Sequence, residues 1–139
     1  MKPFFFVYKR ILSILIVAVC FLLCGCEVSN DATIPIRIWG KWKVETMSYN
    51  KTYITEQYNS YIFEFKSSDS LLIQNTPEFA VYEETHYKDT NFIFIGGFQE
   101  SKFAIFNKKW TILQRCNSIY ELETKDTNNL FINMRIYKL

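Results

Sequence analysis

Histidine occurs once in 139 residues, at position 86. A metal site at His86 would need other soft ligands nearby, and beyond the N-terminal segment the one thiol is the distant Cys116. The position of His86 instead predicts a surface residue beside a turn at 88–91. A Cys116–His86 nucleophile pair would require these two distant positions to meet in space, which spacing does not indicate. Glycine is scarce as well, with four in the chain. The pair Gly96-Gly97 is followed by neither a helical stretch nor a Lys-Ser/Thr, so it reads as a turn or bulge and not as a phosphate loop. Alanine is rare, which argues against a helical bundle. Glu83 and Glu84 are adjacent, so on a strand they point to opposite faces. Glu121 and Glu123 do share a face, but it lies opposite Tyr120 and Leu122 and is therefore the wet one. With no nucleophile–base set, metal cluster, cofactor loop or paired carboxylates legible, the expectation is a protein that is not an enzyme.

What is present begins at the N-terminus. Lys2, Lys9 and Arg10 precede an apolar run from Ile11 to Leu23 relieved only by Ser13. Thirteen residues of helix span about 20 Å, short of the ~30 Å hydrocarbon core of a bilayer. Extending the segment back to Phe4 would bury Lys9 and Arg10. The run therefore reads as the helical core of an export signal, with a retained membrane anchor as the competing reading.

The run closes on Leu23-Cys24-Gly25-Cys26. This resembles the bacterial lipobox, with Leu23 as the branched apolar residue, Gly25 as the small one and Cys26 as the modified cysteine. Cys24 in the second position is less usual. The resemblance implies a signal peptide over 1–25, cleavage between Gly25 and Cys26, a diacylglycerol on the Cys26 sulfur, and an acyl chain such as palmitate on the new amine. One acyl chain holds a protein only marginally, at about 0.8 kcal/mol per buried methylene, whereas two or three on one residue make attachment effectively permanent. Glu27 follows the cysteine where an Asp would signal retention in enteric bacteria. This resembles a lipoprotein of the cell outer membrane, facing either the periplasm or the surface.

Removing 25 of 139 residues would leave 114, enough for one domain with one modest core. Lys2, Lys9 and Arg10 would leave with the signal, so 16 Lys+Arg would become 13 against 14 Asp+Glu. That balance, with no basic patch beyond Lys108-Lys109, excludes nucleic acid as a partner. Cys20 and Cys24 would be discarded and Cys26 consumed by lipid. The mature domain would then hold Cys116 with no intramolecular disulfide, and its stability would come from packing. Residues 26–36 are polar and turn-rich, and read as a flexible tether.

From residue 37 onward, apolar residues come in short clusters separated by Asn, Asp, Ser, Thr, Gly and Lys, near 8–12 residues apart. The clusters are 41–49, 61–66, 71–74, 79–87, 92–95, 102–106, 110–115, 119–124 and 130–138. They are rich in Phe, Tyr, Ile, Val, Thr and Trp, which suit a pleated, half-buried surface. Tyr61, Phe63 and Phe65 share one face; Leu130, Ile132, Met134 and Ile136 share another, opposite Asn133 and Arg135. The prediction is an all-β domain over 37–139, an antiparallel meander of eight or nine strands closing into a small barrel, with room for a short helix in the link 50–60.

At the first strand stands Trp39-Gly40-Lys41-Trp42. Gly40-x-Trp42 at the opening of a β meander resembles the lipocalin signature and the lipocalin-like domains of small bacterial lipoproteins. The resemblance implies that Gly40 lets the chain turn into the strand, that Trp42 plugs one barrel end, and that an arginine of a late strand, Arg135, packs across it. It covers roughly residues 37–139 and rests on this one motif. Twenty of the 25 aromatic residues would remain in the mature chain. They predict either the lining of a pocket for a small hydrophobic ligand or the filling of the interior. Two functions follow: a membrane-anchored lipoprotein binding an apolar ligand, or a filled barrel meeting another envelope protein. Neither calls for a cofactor.

Overall fold

The computed structural model describes residues 37–139. The signal segment 1–25, the cleavage site between Gly25 and Cys26, and the tether 26–36 lie outside the described residues. Nine strands follow one another: β1 Gly40–Tyr49, β2 Thr52–Tyr53, β3 Ile62–Phe65, β4 Ser70–Ile73, β5 Phe79–Tyr87, β6 Thr90–Gly96, β7 Lys109–Cys116, β8 Ile119–Lys125 and β9 Phe131–Lys138. All neighbours pair antiparallel, and β1 also pairs with β9 from Trp42↔Lys138 to Tyr49↔Ile132. This contact closes the sheet, with β2 a two-residue appendage on β1, so the wall is an eight-stranded barrel. Closure satisfies the edges an open meander would expose.

Short turns hold the meander together. Asp69, Asn75 and Asn129 adopt positive φ of 59°, 63° and 60°, a conformation that Asn and Asp tolerate better than most residues. The predicted faces are the observed ones: Phe63, Phe65, Ile132, Met134 and Ile136 are buried in the barrel. The link 50–60 carries a short 3₁₀ turn, Thr55–Gln57.

One expected strand is absent. Residues 102–106 form a loop with a 3₁₀ turn at Ala104–Phe106. Its buried residues, Phe103 and Phe106, are three apart, which is a helical spacing and not the two-residue period of a strand.

Two bulges reset the alternation. In β1 the register shifts between Val44 and Thr46, so Trp42 and Val44 point inward and the next inward residue is Met47. In β7 it shifts between Ile112 and Gln114, leaving Leu113 outward. Past this extra residue Arg115, opposite Tyr120, turns into the barrel in place of Gln114.

Candidate functional site

The interior offers no room for a guest. The void at its centre, between Val44, Phe63, Phe65, Leu71, Ile95, Phe106, Met134 and Ile136, measures about 10 Å³, no more than one water requires.

Each end of the barrel is stoppered. At the end where the chain comes in, Gly40 turns with φ +118°, a conformation that favours glycine; a Cβ there would also stand 2.8 Å from Lys138 Cε, where the flexible lysine can give way. Trp42 is 1 % exposed, donates its indole N–H to the Ile38 carbonyl at 2.6 Å, and meets Tyr120 edge to face at 5.2 Å. This is the plug expected of Gly40-x-Trp42. Arg135 does not pack across it. The alternation of β9 turns Arg135 outward, where it pairs with Glu45 and Glu121, each at 2.5 Å. The cation nearest the Trp42 ring is the Lys138 ammonium, 5.7 Å from its centre.

Beside this plug lies a partly buried polar cluster that the sequence did not announce. Glu84 Oε1 accepts the Ile38 amide at 2.7 Å, and Arg115 is buried nearby. Burial pushes the Glu84 carboxyl up; the Ile38 amide and the charges of Arg115 and Arg37 offset that in part. Burial, with Glu84 and Asp69 adding to it, pushes the Tyr82 hydroxyl up to about 12. Because folded Glu84 holds its proton more tightly than unfolded Glu84, its contribution to stability should fall as pH rises from the ordinary Glu range through its raised value. Asp126 acts in the opposite sense. Its hydrogen bonds from Tyr49 and from the Leu130 and Asn128 amides lower it, so its contribution is lost as pH drops through its folded value. In urea titrations from about pH 2 to 8, Glu84→Gln should remove the downward slope on the neutral side and leave the acid limb unchanged.

The opposite end is closed by the β6–β7 loop. Phe98, Phe103 and Phe106 pack with Tyr58 and Phe63, ring centres 5.1 to 6.3 Å apart. Asn107 brackets Phe98 with two backbone hydrogen bonds, and buried Glu78 accepts the amides of Gln99 and Glu100 at 2.8 and 3.2 Å. Glu78 sits outside any alternating strand pattern, so no sequence signal marked it.

The sizeable concavity lies on the outside. β4 pairs with β5 only from Phe79 to Val81, although β5 runs on to Tyr87. An open groove of about 630 Å³ follows this gap, lined by Val81, Tyr82, Glu83 and Glu84 in succession and by Arg37, Trp39, Asp69 and Phe94. Phe79, Val81 and Phe94 stand exposed on the same wall.

The remaining predicted positions scatter. His86 is exposed near the β5–β6 turn and bonds Asn91 at 2.9 Å. Glu83 faces out and Glu84 in; Glu121 lies on the outer face, paired with Arg135. Cys116 is disulfide-bonded, contrary to the expectation of a domain without one. That expectation had assigned Cys20, Cys24 and Cys26, all outside the described residues, to cleavage or lipid. No group of three metal-ligating side chains occurs among the described residues. No protein-family model, curated protein or solved structure matches the chain.

Proposed function

We propose that this chain is a non-enzymatic lipoprotein of the cell envelope, tethered through lipid on Cys26 to the outer membrane, whose lipocalin-like barrel serves as a protein-interaction module. The filled interior carries this reading. A ligand site is typically a cavity of about 300–1,000 Å³, and the void at the centre of the barrel is about 10 Å³. The aromatic excess is spent on filling and stoppering, which favours the interaction role over the carriage of an apolar ligand within the barrel. The outer wall supports the same role, because Phe79, Val81 and Phe94 are 58, 53 and 47 % exposed beside a groove. Clustered exposed apolar side chains of this kind mark contact surfaces.

Site-specific photo-cross-linking in envelopes tests the proposal. A cross-linker at Val81 should yield a discrete heavier adduct that Phe94→Asp reduces at least several-fold, while one at exposed Thr127 yields none. Absence of an adduct at Val81, together with saturable quenching of the buried tryptophans by fatty acid or a haem-like ligand, would return the protein to the carrier class.

A further inference from the structure

We infer that the barrel end carrying Trp39 lies directly on the bilayer, with Trp39 and Tyr87 seated at the headgroup level. This rests on the proposed lipid anchor at Cys26 and adds an orientation to it. Arg37, the first described residue, stands at the same end as Gly40, the β3–β4 and β5–β6 turns and the C-terminus. Ten residues separate it from Cys26, an extended reach of roughly 36 Å. β1 alone, at ten residues, is about 33 Å along the strand, or roughly 25 Å along the axis of a barrel whose strands tilt by about 35–45°. Turning the opposite end to the membrane would therefore use most of the reach available from Cys26, whereas seating this end needs little of it.

The side chains around this end suit a lipid interface. Trp39 is 39 % exposed with the Arg37 guanidinium 4.7 Å over its ring, and Tyr87 is 66 % exposed with the Lys88 ammonium at 5.4 Å. Leu139 is exposed next to Lys138. Aromatic rings with one apolar face and an adjoining cation that can reach up to phosphates are what the water–hydrocarbon boundary selects. The opposite end carries comparable pairs, Lys125 over Phe131 and Lys102 over Tyr61, so the point of attachment decides between the two. The orientation also sets the β5 groove, which shares Arg37 and Trp39 with this rim, just above the headgroups, where a partner would approach along the membrane surface.

The three tryptophans make the test direct. Trp42 and Trp110 are 1 and 0 % exposed, so Trp39 alone answers to a quencher. The full lipidated protein is reconstituted in phosphatidylethanolamine–phosphatidylglycerol vesicles, with and without brominated acyl chains, and floated on a density gradient. Expected is flotation, quenching by the brominated lipid that disappears in Trp39→Phe, and about a twofold or greater fall in acrylamide quenching relative to the protein in detergent. Flotation without brominated-lipid quenching overturns the orientation and leaves the anchor standing. Acrylamide protection without brominated-lipid quenching assigns the rim to a protein cover and also overturns it. Failure to float overturns the anchor, and the orientation with it.

Discussion

Trp42→Ala should destabilise the domain by about 3–5 kcal/mol, the range for truncating a buried aromatic to alanine. For a domain of this size that corresponds to a fall in Tm on the order of 20 °C. Three losses combine. The indole fills the end of the barrel at 1 % exposure, and nothing in a β wall can collapse into the space it leaves. Its N–H satisfies the Ile38 carbonyl, and Ile38 is itself fully buried, so that acceptor would be orphaned. Its edge-to-face partner Tyr120 would lose the ring it packs against. Trp42→Phe keeps most of the ring contact and should cost less than half as much. Arg135→Ala is the internal contrast. Its two ion pairs lie on the outer face with the side chain 38 % exposed, so the loss should stay under about 1 kcal/mol and shrink further in salt. Urea unfolding of the three variants measures this, and an Arg135→Ala loss as large as that of Trp42→Ala would mean that the arginine supports the plug after all.

Cys26→Ser should abolish incorporation of labelled fatty acid and leave the chain at precursor length, an all-or-none effect because the acceptor sulfur is gone. The disulfide at Cys116 sharpens the experiment. In the processed chain Cys20 and Cys24 would be gone, so an intramolecular disulfide at Cys116 would take the same Cys26 sulfur that the thioether needs, and the two exclude each other. Under the proposal, peptide mapping without reduction should find Cys26 joined to lipid and Cys116 as a thiol; a Cys26–Cys116 peptide, or normal labelling of Cys26→Ser, would refute lipidation.

The wall of the barrel was readable because its cause is local. Phe63 and Phe65, or Ile132, Met134 and Ile136, alternate with polar residues, and a strand sends successive side chains to opposite faces. Asp69, Asn75 and Asn129 sit in the polar gaps and take the positive φ the turns require. The Arg135 expectation failed where the resemblance was carried against that same alternation, which had already turned Arg135 away from Ile136. The strand expected at 102–106 failed because an apolar cluster was read without its period: Phe103 and Phe106 are spaced for a turn.

The candidate site was scarcely legible, for a different reason. The groove exists because β4 begins only at Ser70, after the β3–β4 turn, and pairs with only three residues of the longer β5. Strand ends are set by which neighbour supplies hydrogen bonds, and that neighbour lies elsewhere in the chain. The cluster of Glu84 and Arg115 depends on the bulge at Leu113. Were plain alternation kept past Ile112, Gln114 would face inward and Arg115 solvent, and half-buried Glu84 would lose the charge that β7 brings near it.

By itself, the order of residues determined that this domain is a β meander, which side of each strand is dry, where the chain turns, and that Trp42 follows a glycine able to bend into the first strand. Those are properties of a few neighbouring residues, governed by a two-residue period and by the φ each residue tolerates. Only the closed structure decided that the aromatic rings consume the interior, that Arg115 faces inward, and that the usable concavity lies on the outer wall. Volume, register and strand overlap are sums over segments far apart in the chain. They acquire values only when β9 returns to pair with β1.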